Sequence, residues 1–137
     1  MKTEPAPDIK NRIALIVKKL DMQHIDSNRI VCMRSYGSKS KAVARIWSLP
    51  KIWQKALGIR AHYIIEVVSE RFDKLSAADQ DRTLIHELLH IPKTFSGAIL
   101  SHISMHFNGC GGFVRKHIDG RTVEKLFQEL EKKTKVP

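Results

Sequence analysis

Apolar positions along the chain switch between a helical and a strand period. Ile9, Ile13, Ile16, Val17 and Leu20 recur at helical spacing, which gathers them on one face and predicts a supporting helix with Asp8 as its cap. Pro5 and Pro7 before it mark residues 1–7 as a short flexible leader. From Asn28 to Tyr36 the run R-I-V-C-M-R is strand-like, Y-G-S-K-S after it reads as a turn, and a second strand is expected from Ala42 to Trp47. Leu49 to Gly58 has proline in the first turn and glycine past the end, the signature of a short helix. Trp47 and Trp53 are expected as core anchors. His62 to Ser69, rich in β-branched residues, is the strongest strand signal, and it is expected to offer an edge to an extended peptide along a cleft.

A second amphipathic helix follows. Ser76 stands as N-cap with Asp79 three positions on and Asp81 near the positive end of the dipole, and Pro92 stops the helix. At about 100° per residue Leu84, Ile85, Leu88 and Leu89 form one apolar arc, while His86, Glu87 and His90 fall in the opposite arc. Residues 93 to 112 are histidine- and glycine-rich and are expected as a loop, with a short helical piece at Ala98 to Phe107. From Asp119 the helical spacing returns at Val123, Leu126, Phe127 and Leu130 and ends in a basic tail, residues 131–137. This order of elements predicts an α+β domain over residues 8–130, with a small mixed or antiparallel sheet packed on the second amphipathic helix and flanked by other helices.

The polar arc of that helix carries the chemistry. His86, Glu87 and His90 read H-E-x-x-H, in which two imidazoles one turn apart can hold one metal ion and the carboxylate beside them can take a proton from water. A catalytic zinc ordinarily has three protein ligands and one open position, so a third donor is needed. His102, His106 and His117 follow His90 by twelve, sixteen and twenty-seven positions, and Glu124 is the carboxylate alternative. His102 is the preferred candidate. His102 and His106 are four apart and would face one way if that segment were helical.

Composition narrows the setting. The 137 residues, 42% hydrophobic and 28% charged, suit one soluble domain. No run approaches the roughly eighteen apolar residues of a membrane span, and the N-terminus lacks a signal-peptide core, so a cytoplasmic protein with no membrane partner is expected. Cys32 and Cys110 form no C-x-x-C pair and read as isolated buried thiols. The net charge of +10 could attract nucleic acid. Its basic residues, with small clusters at Arg34, Lys39, Lys41 and Arg45 and at Lys132, Lys133 and Lys135, are not interleaved with aromatics, so nucleic acid is not favoured.

Three stretches carry a family resemblance: Ala44 to Gln54 (A-R-I-W-S-L-P-K-I-W-Q), Tyr63 to Glu70 (Y-I-I-E-V-V-S-E) and above all His86 to Gly97 (H-E-L-L-H-I-P-K-T-F-S-G). Over about residues 28 to 130 the chain resembles the small metallopeptidases of archaea and their viruses. The resemblance implies a minimal zincin-like scaffold, and the family's histidine beyond Ser-Gly aligns with His102. The chain departs from the family in its longer histidine- and glycine-rich stretch from Ile103 to His117, which leaves His106 and His117 as competing ligands or as groups that steady the reacting carbonyl oxygen. Together with the site chemistry, the resemblance implies a Zn2+-dependent peptidase, with His86, His90 and His102 as ligands, Glu87 as general base, and a protein or peptide as substrate. A protease of DNA-bound proteins similar to the SprT-like family is one rival, and a non-enzymatic basic binding module stapled by metal is another. Self-association or self-inhibition, with a tail or neighbouring chain in the cleft, is a further expectation.

Overall fold

The computed structural model describes residues 1–101, 103–107, 113–117 and 120–135, with side chains over 1–101 and 120–134. The first helical pattern forms α1 (Pro7–Lys19), and its Ile9, Ile13 and Ile16 are buried. Pro7 occupies the first helical turn, where a missing N–H costs nothing. Ala6 rather than Asp8 is the N-cap, and Asp8 instead pairs with Arg34 at 3.0 Å. The expected flexible leader is corrected over most of its length. Lys2–Pro5 form strand β1, antiparallel to β2 (Ile30–Tyr36), with Thr3 opposite Ser35 and Pro5 opposite Met33. An edge strand tolerates a terminal proline because no ladder bond is lost there.

The strand signals give β2, β3 (Ala44–Ser48) and β4 (Tyr63–Val68), and the short helix between the last two is α2 (Lys51–Leu57), closed by Gly58 at φ 64°. The sheet order is β1-β2-β4-β3, with β2 and β4 parallel and β3 antiparallel to β4. This makes β4 an interior strand, so the expectation that it offers an edge is corrected: the terminal strands are β1 and, on the side of β4, β3. β-branched residues suit the pleated surface of such an interior strand, whose backbone is paired on both sides.

A turn of helix, α3 (Ser69–Phe72), leads to α4 (Ala77–Leu88), where Ser76 accepts from the Asp79 N–H at 3.1 Å as the sequence predicts. Asp81, near the positive end of the α4 dipole, also pairs with Arg12 of α1 at 2.6 Å. The expected helical piece at 98–107 is not formed. Residues Ile103–Phe107 are strand β5, paired antiparallel with β6 (Phe113–His117). The alternation of Ile103, Met105 and Phe107 with Ser104 and His106 is a strand pattern, and it outweighs the helical reading. The last helix, α5 (Gly120–Lys135), runs on through most of the expected tail, where Lys133 pairs with Glu129 at 3.3 Å.

One core joins α1, α4 and α5 to the sheet face that carries Ile30, Cys32, Tyr63, Ile65 and Val67. Burial pushes the Cys32 thiol up to about 11, as expected for an inert structural cysteine; Cys110 lies outside the described residues. The tryptophans do not serve as core anchors: Trp47 is 50% and Trp53 56% exposed. Trp47 alternates with Ile46 onto the sheet face opposite the core, and α2 has no buried residue.

Candidate metal centre

The helical wheel that separates core from chemistry on α4 also orders the site. Leu84, Ile85 and Leu88 are buried, while Arg82, Thr83, His86, Glu87 and His90 line an open cleft of about 660 Å³. Ala42 to Trp47 form the opposite wall along β3, and Gly120 and Val123 close it at the start of α5. The α-helix ends at Leu88, so His90 sits in the turn that follows, its N–H bonded to the Glu87 carbonyl at 3.1 Å. The two imidazoles nevertheless converge, with Nε2 atoms 3.4 Å apart and ring planes at 76°.

That separation tests whether a metal fits. Two nitrogens bound tetrahedrally at about 2.0–2.1 Å from zinc stand about 3.3–3.4 Å apart, which is the distance found. The tautomer fits as well. The Leu100 carbonyl can only accept, so His90 Nδ1, 2.5 Å away, carries the proton and Nε2 keeps its lone pair for a metal. A backbone carbonyl thus orients the His90 imidazole.

The loop after the helix explains why the extended motif runs to Gly97. Its job is to return the chain to His90, where the Leu100 N–H also donates to the His90 carbonyl at 2.8 Å. Tyr63 in β4 staples the loop, donating from its hydroxyl to the Ala98 carbonyl at 2.8 Å and accepting the Gly97 N–H at 2.9 Å. Phe95 packs edge-on against Tyr63, and the Arg29 guanidinium lies over the Phe95 ring at 4.6 Å. Gly97 has φ 98°, and a Cβ there would come within 2.9 Å of the Leu49 carbonyl oxygen, so no other residue is accommodated without movement.

Glu87 is 7% exposed, and burial raises its carboxyl pKa to about 7. Of the third-ligand candidates, His102 lies outside the described residues. His106 and His117 belong to β5 and β6, and their side chains lie outside them too. Residues Ile103–Phe107 are strand, so His106 is not on the helical face expected for it. Glu124 is engaged elsewhere, accepting from Arg82 at 2.8 Å and from Gln128 at 2.9 Å. Among the described residues no group of three or more His, Cys, Asp or Glu side chains is gathered for a metal.

Sequence reasoning missed the rest of the cleft. Arg82 and Thr83 fall in the same helical arc as His86 and Glu87, so the wheel could have found them. Arg45 and Trp47 could not be found that way, because the topology brings β3 to the cleft. Behind this wall Glu66 of β4, 6% exposed, accepts from Arg45 at 2.7 Å and from the Trp47 indole at 2.8 Å, tying both to the sheet. Burial pushes the Glu66 carboxyl up, but the hydrogen bonds, led by that from Arg45, more than offset it and leave the pKa lowered. An acid whose folded pKa is depressed contributes stability above its unfolded value that disappears as pH falls through the folded one. Glu66→Gln is therefore expected to lower stability by about 2 kcal/mol at pH 7, and the gap to wild type in urea denaturation should close as the pH is taken below 4.5.

A family model described as Putative phage metallopeptidase matches residues 1–131. No curated protein and no solved structure matches the chain.

Proposed function

The chain belongs to the family described as Putative phage metallopeptidase, and from that premise we propose that it is a zinc-dependent peptidase whose general base is Glu87. The observation that carries this reading is the 3.4 Å convergence of the His86 and His90 Nε2 atoms beside a buried carboxylate in an open cleft. His86 and His90 would hold the ion, with His102 as third donor and His106 or His117 as alternatives. Leu100 touches His90, and chain connectivity carries position 102 no more than about 7 Å further; His117, opposite Ile103 in the β5–β6 ladder, is the nearer of the two alternatives. Arg82's hold on Glu124 disfavours that carboxylate.

A bound zinc supplies a Lewis acid that polarises the scissile carbonyl and acidifies water. Glu87 accepts the proton of the attacking water on a carboxylate oxygen and passes it to the departing amine nitrogen, a task suited to a carboxyl whose pKa is raised towards neutrality. The substrate segment lies extended along β3, whose outer backbone groups offer ladder bonds at the end of the sheet.

The test is cleavage of an unfolded protein by the purified full chain. Cleavage is expected with zinc, should be lost with a chelator, and should return on zinc addition with about one ion bound per chain. Zinc-independent cleavage, or zinc bound with no cleavage of any unfolded substrate, would overturn the reading.

A further inference from the structure

The helix α2 has its apolar side outward. At 100° per residue Ile52, Trp53, Ala56 and Leu57 share one arc, and Lys51, Gln54 and Lys55 share the other. An amphipathic helix on a folded body ordinarily turns the apolar arc inward. Here Gln54 faces the body instead, donating to the Leu49 carbonyl at 2.8 Å and the Ser96 carbonyl at 3.1 Å. Ile52 is 74%, Leu57 57% and Trp53 56% exposed, and Ile59 just beyond the Gly58 cap is 43% exposed. Lys51, Lys55 and Arg60 are exposed around them. Large apolar side chains grouped in this way mark a surface that meets something other than water.

We propose that α2 and the Gly58–Arg60 turn dock this protein on an anionic lipid surface. Ile52, Trp53, Leu57 and Ile59 enter the boundary between headgroups and acyl chains, and Lys51, Lys55 and Arg60 meet the anionic headgroups. The arrangement selects this occupant by charge and by side-chain type. A second copy would bring the same three cations, and its own net charge of +10, against this face. Nucleic acid would satisfy the cations but leave Ile52, Leu57 and Ile59 in water. A fluid apolar layer beneath anionic headgroups satisfies both sets, and tryptophan is a residue favoured at that boundary. The expectation of no membrane partner rested on the lack of a spanning run. No described helix is long and apolar enough to cross a membrane, but a helix lying in the plane of the surface needs no such length.

The full chain is sedimented with vesicles of equal parts phosphatidylglycerol and phosphatidylcholine, and with vesicles of phosphatidylcholine alone. Binding to the anionic vesicles is expected, together with a blue shift of tryptophan emission that Trp53→Ala removes and weakening as salt is raised. The pairs Ile52→Ser with Leu57→Ser, and Lys51→Glu with Lys55→Glu, should each weaken binding by about tenfold or more, with circular dichroism unchanged because these side chains are exposed. Three results would overturn the proposal: no binding to anionic vesicles at low salt, equal binding to phosphatidylcholine alone, or unaltered binding by both variant pairs. Concentration-dependent self-association that the Ile52 and Leu57 changes abolish, without vesicle binding, would assign the face to a second copy instead.

Discussion

Glu87→Gln is expected to lower peptide cleavage by about 10²- to 10⁴-fold while leaving zinc binding intact. Glutamine has the shape of glutamate but cannot take a proton from water, so the loss isolates the base from the ligands. A stability measurement separates this loss from misfolding. In the metal-free protein Glu87 is buried and its pKa is raised to about 7, above the ordinary 4.5. A group of that kind binds its proton more tightly when folded, so its ionisation destabilises the fold progressively as pH rises from 4.5 to about 7. Glu87→Gln removes that cost. The metal-free variant should therefore be more stable than metal-free wild type at pH 8, by about 1–3 kcal/mol, and indistinguishable from it at pH 4. An active glutamine variant would remove Glu87 from the mechanism.

His90→Ala should weaken zinc binding by more than about 100-fold, beyond the loss that follows from disturbing a ligand's outer partner alone, and should abolish cleavage at limiting zinc. The side chain does two things at once. Its Nε2 meets His86 Nε2 at 3.4 Å, and its Nδ1 donates to the Leu100 carbonyl, so alanine removes a proposed ligand and unties the returning loop together. The backbone bond from the Leu100 N–H to the His90 carbonyl, 2.8 Å, survives the substitution. A folded protein with a defective site is therefore expected rather than an unfolded chain. Titration with a competing chromogenic chelator measures the affinity, and an unchanged zinc affinity would show that His90 is not a ligand.

Much of this arrangement was legible because it depends on local periodicity. The 3.6-residue repeat of α4 put Leu84, Ile85 and Leu88 in the core and His86 with Glu87 in the cleft, and Ser76 caps the helix as its residue type predicts. Elements defined by distant pairing were harder to read. Lys2–Pro5 has no strong strand signal alone and becomes β1 because Met33–Tyr36 provides its ladder. The strand identity of β4 could be read, but not its neighbours: that β2 and β3 take its two sides, leaving β3 at the end of the sheet, is a matter of topology. The tryptophans mislead for a related reason, since the type of a side chain does not say whether the surface beside it will be covered.

The sequence by itself determined the helix that carries His86 and Glu87, the placing of His90 one turn further on, and the α+β class, because each follows from spacing and element order along the chain. Tertiary structure alone decided that the Nε2 atoms converge, that Leu100 fixes the His90 tautomer, that β3 with Arg45 and Trp47 forms the facing wall, and that α2 shows its apolar arc to solvent. Those features arise between segments tens of residues apart, where the balance of burial and hydrogen bonding is settled only once the whole chain has packed.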